Sequence, residues 1–238
     1  MNENEQISSD KFSILIPVYN EENNVVKLAD EIEKLGLPFL FVDDGSIDKT
    51  LPNLWLKSIH TLASYPNHGK GYAIRLGANY LIGVEFPYIL TLDGDGQCAL
   101  SDIEKFDNEL LFNEDVDIFI GNRMWDEKKM PPMRRWINKI MSKKISKLTG
   151  QEIPDTQCGF RLYSKKVFET LTLKCNGFDF ESEVLIKAGR AGMKIKSIPI
   201  QCIYQKNRRS KQKVFIFFRM NILNWMKCLC LQQLMMRE

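Results

Sequence analysis

The chain has little of what several common chemistries require. Only two histidines occur in its 238 residues, His60 and His68. Its six cysteines, Cys98, Cys158, Cys175, Cys202, Cys228 and Cys230, include no Cys-x-x-Cys pair, so neither a zinc site of Cys/His spacing nor a disulfide framework is indicated. Reduced thiols are expected. The start, Met1 to Lys11, is polar and has no apolar h-region, so no signal peptide is read there and the expectation is a cytoplasmic protein. Internal repeats and low-complexity linkers are also missing. With 44% hydrophobic residues and nine prolines, the length suits one large α/β domain with a full core.

The net charge of +3 is unremarkable, but its distribution is uneven. Arg123 to Lys147 holds nine basic residues against Asp126 and Glu127, and such a segment expects an anionic partner. Elsewhere the pattern alternates. Short β-branched runs at "KFSILIPVYN", "PFLFVDDGS", "YILTLD" and "VDIFIGNR" predict strands. Between them, "EENNVVKLADEIEKLG", Leu51 to Lys57, "GKGYAIRLGANYLIG" and "ALSDIEKFDNELLF" predict helices. Alternation of this kind gives a mainly parallel sheet with helices on both faces, whose ligands bind at the carboxyl ends of the strands. The polar strand ends Tyr19 to Glu21, Asp43 to Ser46, Asp93 to Gln97 and Arg123 should therefore meet in one cleft.

"YILTLDGDGQCA" sets Asp93 and Asp95 between glycines at a strand end. Two adjacent carboxylates repel unless a cation lies between them, and Asp-x-Asp lets both reach one divalent ion; a solvated turn is the plain alternative. A calcium EF-hand is excluded, because Cys98 stands where the sixth-position glycine is required. "NHGKG" is not a Walker motif either, since Ser64 replaces its first glycine and Gly71 follows Lys70. Its glycine-rich turn opening a helix can still approach a diphosphate.

Taken in series, "SILIPVYNEENNV", "VDDGS", "NHGKGYAIRLG", "LDGDGQ", "PDTQCGFRLYS" and "FESEVLIKAGRAGMKIKSIPI" resemble the inverting family 2 glycosyltransferases of GT-A fold. The nearest resemblance is to the branch of dolichyl-phosphate mannose synthases and polyprenyl-phosphate glycosyltransferases, over about Phe12 to Lys211. It implies a GT-A, Rossmann-like α/β catalytic domain over 1–211, followed by an amphipathic membrane-interface helix over 212–238. It implies that Pro17, Tyr19, Glu21 and Asp43 or Asp44 hold the nucleoside of a sugar nucleotide, Asp44 being the preferred base contact, with Lys70 near its diphosphate. Asp93, Asp95 and Gln97 match the family's Mg²⁺ or Mn²⁺ site, the ion stabilising the departing diphosphate.

The same resemblance places the acceptor phosphate of a polyprenyl (dolichyl or undecaprenyl) lipid against Arg123, a basic helix carrying Ser142, and the segment with Arg208 and Lys211. Asn138 stands where the branch has a helix arginine, and Arg134 and Arg135 lie one turn upstream. Asp155 matches the branch's aspartate, as a base or as a group that orients the acceptor; Glu181 and Glu183 are alternatives, with Glu183 the better match. Buried pairing with Arg161 is the structural reading of any of the three. The helix carrying Met133, Trp136, Ile137, Ile140 and Met141 among cations can lie on an anionic membrane, as can Lys213 to Met236, whose Arg219, Asn221, Asn224 and Lys227 interrupt it before the ~20 apolar residues of a span. The implied enzyme works at the cytoplasmic membrane face, alone or with a membrane subunit, and nucleic acid is not a partner. Two other readings stay open: transfer to a hydroxyl of a lipid or polysaccharide precursor, and a nucleotide-sugar binding module without catalysis.

Overall fold

The computed structural model describes residues 11–201 and 203. The expected interfacial segment from Lys213 onward, together with Arg208, Lys211 and three of the cysteines, lies outside the described residues.

Seven strands form one sheet: β1 (Phe12–Val18), β2 (Phe39–Asp44), β3 (Thr61–Ser64), β4 (Tyr88–Thr91), β5 (Ile118–Asn122), β6 (Arg161–Ser164) and β7 (Ile195–Pro199). Among the described residues, seven α-helices accompany them: α1 (Val25–Glu33), α2 (Thr50–Leu56), α3 (Lys70–Gly83), α4 (Ile103–Phe112), α5 (Pro132–Thr149), α6 (Lys165–Thr170) and α7 (Phe180–Arg190). The strand order is β3-β2-β1-β4-β6-β5-β7. β1 pairs in parallel with both β2 and β4, whereas β6 runs antiparallel between β4 and β5. The expected mainly parallel α/β sheet is therefore present, and its order reverses at β1–β4, where open sheets of this kind bind ligands.

Apolar periodicity accounts for the long elements. α1 buries Val25, Leu28, Ala29 and Ile32, one face of a helix. β1 and β4, covered on both sides, are almost continuously apolar. Three strands escape that signal. β3 is a four-residue edge strand with partly exposed Thr61, Leu62 and Ser64, and β6 opens on Arg161, whose burial no propensity scale anticipates. β7 carries Lys196 and Ser197 in the middle of its run.

α5 divides its apolar residues between two environments. Ile137, Met141 and Ile145 enter the core, while Met133 is 50% and Trp136 61% exposed. The expected single apolar face is thus corrected: only Met133, Trp136 and the half-buried Ile140 look outward beside Lys139 and Lys143. Lys139 is drawn 2.7 Å from Glu127, which offsets part of the basic charge. No helix among the described residues is long and apolar enough to cross a membrane.

Candidate active site

The carboxyl ends of β1, β2 and β4 open onto a cleft of about 310 Å³. It brings together Pro17, Tyr19, Glu21, Asp44, Lys70, Asp93 and Asp95, along with Asn67 and Phe178, which the sequence did not single out. Asp43 is 1% exposed and does not line the cleft; its Oδ2 accepts the Ser46 N–H at 3.0 Å, and its buried Oδ1 has no partner. The Asp44 carboxylate accepts from Ser64 Oγ (3.1 Å), His68 N (3.0 Å) and Gly69 N (2.5 Å). Its oxygens therefore hold the loop that walls the cleft, which weighs against the carboxylate as the base contact.

The start of α3 is likewise committed. Gly69 lies at φ 107°, a region that favours glycine. The carbonyl of Asn176 then takes the N–H groups of Gly71 (2.6 Å) and Tyr72 (3.2 Å). These are the orphan donors that a phosphate would need, so the expected approach of a diphosphate to this helix start is not supported. What the turn delivers to the cleft is Lys70, whose Nζ lies 2.6 Å from Asp93 Oδ1 and 2.5 Å from Glu181 Oε1.

Electrostatics follow from this packing. Burial opposes the Lys70 ammonium, but Asp93 and Glu181 outweigh burial and raise its pKa. Burial also works against Asp93, yet Lys70, with Arg123 and Arg161 farther off, holds it below the usual carboxylate range. Asp95 goes the other way: burial, then the charge of Asp93, pushes it up to about 6, against the pull of the Gln97 N–H at 3.1 Å. Cys158 is pushed up to about 12 by burial, and Cys98 also rises. These thiols are poor nucleophiles at neutral pH, and the three described cysteines are unpaired, as expected.

Beside Arg123, at the end of β5, Asp155 is fully buried, and its pKa lies low because Arg123 outweighs the cost of burial. Oδ2 accepts from Arg123 N (2.9 Å) and Nε (2.7 Å), and Oδ1 from Arg123 Nη2 (2.9 Å) and Asn138 Nδ2 (2.7 Å). A carboxylate so saturated is a weak proton acceptor and a strong positioner of Arg123. Its buried partner is thus Arg123 and not Arg161, which instead binds the carbonyls of Thr156, Cys158 and Glu181. Ser142 is 5% exposed; it donates to Asn138 Oδ1 (3.1 Å) and accepts from Thr156 N (3.0 Å). The serine expected to meet the acceptor is therefore inside this network. Asn138, the departure from the branch's arginine, is what links it to Asp155. Arg123 and Gln97, expected in the same cleft, do not line it, and neither do Ser142 or the half-buried Arg134 and Arg135.

Glu183 does not line the cleft. Its carboxylate accepts from Lys174 N (3.0 Å), Cys175 N (2.8 Å) and Lys187 Nζ (2.7 Å), pinning the segment that presents Asn176 and Phe178. Glu183→Ala should cost about 2–3 kcal/mol through the stranded donors, and Glu183→Gln distinctly less, because an amide oxygen still accepts. Urea midpoints of the two variants check this; equal losses would mean the charge alone matters.

The mainly parallel α/β sheet thus carries an aspartate pair, Asp93 and Asp95, in the cleft at its switch point. The glycosyl transferase family 2 model matches residues 13–172, and the chain belongs to that family: it is a glycosyltransferase. It is 30% identical over 212 residues to an uncharacterized protein of Methanocaldococcus jannaschii, covering 87% of each. Over 216 residues it is 30% identical to a dolichyl-phosphate beta-glucosyltransferase of Trichomonas vaginalis, covering 79% of this chain but only 64% of that one. It is 27% identical to a UDP-N-acetylglucosamine–dolichyl-phosphate N-acetylglucosaminyltransferase of Methanococcus voltae, covering 80% and 85%. Among solved structures, glucosyl-3-phosphoglycerate synthase of Mycobacterium tuberculosis, in complex with Mn²⁺, UDP and phosphoglyceric acid, superposes with a TM-score of 0.70 at 16% identity, over 91% of this chain and 78% of that one. At that identity the likeness concerns the GT-A fold.

Proposed function

We propose that the chain transfers a hexosyl group, with inversion, from a GDP- or UDP-sugar to a polyprenyl phosphate at the cytoplasmic face of a membrane. The carrying observation is the Asp93–Asp95 pair in the cleft at the β1–β4 switch point, beside Pro17, Tyr19 and Glu21. The relatives' dolichyl-phosphate acceptors support the acceptor class.

Among the described residues, no group of three His, Cys, Asp or Glu side chains is arranged to hold a metal by itself. The residues nevertheless fit an ion completed by substrate. Asp95 is raised to about 6 by burial and by Asp93, which marks uncompensated negative charge. An all-oxygen set of few protein ligands suits Mg²⁺ or Mn²⁺, which keep waters and take substrate phosphates. Asp93 and Asp95, with Gln97 beside them, would hold it, and when bound it would supply Lewis-acid stabilisation of the leaving diphosphate. The chain's own residues do the rest. Pro17, Tyr19 and Glu21 line the nucleoside side, and Arg123, braced by Asp155, meets the acceptor phosphate. A phosphate monoester is already ionised at neutral pH, so the attack needs no general base. That agrees with an Asp155 whose oxygens are spent on Arg123 and Asn138. Membrane contact would come through Met133, Trp136 and the cations of α5.

The test is transfer of labelled sugar to a polyprenyl phosphate with Mn²⁺, yielding a product cleaved by mild acid; an acid-stable product would place the acceptor at a hydroxyl. Arg123→Lys keeps a cation for Asp155 but loses the planar fork. It is expected to weaken acceptor use by about thirtyfold, ~2 kcal/mol, with donor affinity unchanged. Equal losses in both would move Arg123 to the donor diphosphate.

A further inference from the structure

Lys70 is held more tightly than a residue that only meets a ligand requires. Its Nζ bridges Asp93 Oδ1 at 2.6 Å and Glu181 Oε1 at 2.5 Å, and the Phe178 ring lies 5.7 Å away. Gly159 closes the seat, because a Cβ there would stand 2.7 Å from Lys70 Nζ and 2.8 Å from each Asp93 oxygen. Backbone thus packs where a side chain would have to displace the ammonium, the carboxylate or both. Glu181 is 7% exposed and lies on the first turn of α7.

An ammonium and a divalent ion cannot both crowd Asp93 without strong repulsion, which burial leaves poorly screened. We propose that Glu181 is a positioning residue that receives Lys70 when a divalent ion takes Asp93, so that one cation replaces another at that carboxylate. The inference rests on the metal-assisted reading above. With no ion, Lys70 bridges the two acids and compensates both. With the ion on Asp93, the ammonium leans onto Glu181 and keeps a buried counter-charge. Without Glu181 it would stay on Asp93 and obstruct the ion.

The test is direct Mn²⁺ binding to the full chain without nucleotide, read from the electron paramagnetic resonance of free Mn²⁺. Lys70→Met should bind Mn²⁺ about tenfold more tightly than wild type, and Glu181→Gln about tenfold more weakly. In the double variant, the effect of Glu181→Gln should vanish, because no lysine remains to be received. If Lys70→Met alone does not fold, the double variant, which leaves no unpaired buried charge at either position, is compared with Glu181→Gln and should bind about a hundredfold more tightly. Glu181→Gln weakening Mn²⁺ equally with and without Lys70 would make Glu181 a plain negative charge and overturn the proposal, as would unchanged affinity in Lys70→Met. Failure of wild type to bind Mn²⁺ even with UDP or GDP present would instead overturn the functional reading, and the inference with it.

Discussion

Asp95→Asn is expected to lower sugar transfer by about a thousandfold, the equivalent of ~4 kcal/mol of transition-state stabilisation, with the fold intact. The substitution keeps the shape of the side chain and the acceptor for the Gln97 N–H, and removes only the charge. That charge is already held at a disadvantage by burial and by Asp93, which together push Asp95 up to about 6. Its loss should therefore leave the melting temperature equal to wild type or above it. A drop in turnover with no drop in stability isolates the role of the carboxylate as a ligand. Initial rates at saturating Mn²⁺, measured beside thermal melts, make the comparison, and full wild-type transfer in excess EDTA would sink it. Gln97→Ala should be milder, since a neutral amide carries less charge to an ion than a carboxylate does.

Asp155→Ala should be the most destabilising single change at the site, by about 3–5 kcal/mol. It removes one partner of a buried ion pair and leaves Arg123 and Asn138 with donors aimed at a void. For a chain of this size the melting temperature would fall on the order of 10 °C. The pH dependence gives a second check. The pKa of Asp155 is depressed in the folded state, where Arg123 outweighs burial, so its contribution is present above the unfolded carboxyl value of about 3.9 and is lost as pH falls through the folded one. The gap between wild type and variant should be full at neutral pH and narrow in acid. A gap that stays constant to low pH would mean that the cavity, and not the ion pair, sets the loss.

Much of the fold was legible because its long elements are built on strong periodicity: α1, α3, β1, β2, β4 and β5 all lie where apolar spacing puts them. β6 was not, because four residues beginning with arginine resemble a surface turn, and the carbonyls of Thr156, Cys158 and Glu181 that accommodate Arg161 are distant in sequence or carry no side-chain signature. The residues that line the cleft could be read from motifs, since each strand end carries its own polar cluster. Pairings across the fold could not. Glu181 stood out only as a carboxylate, and its partner Lys70 lies 111 residues away. Ser142 lay on a helix whose basic residues suggest a wet surface, yet positions 138 and 142 face inward, and burial turned an expected phosphate contact into a brace.

The antiparallel insertion of β6 between β4 and β5 leaves the sheet unclosed until a late-synthesised strand arrives. β4 and β5 have no hydrogen bonds to each other; each pairs with β6. A nascent chain that has exposed only residues up to about 158 holds every strand of the β3-β2-β1-β4 half-sheet but not the strand that pairs with both β4 and β5. Strand β6 then docks like a keystone. It joins β4 to β5, before β7 has followed it, and brings Gly159 against the Asp93–Lys70 pair. Such sequence-distant pairing is slow relative to local helix formation, so the half-sheet is the species whose open β4 edge needs protection during synthesis.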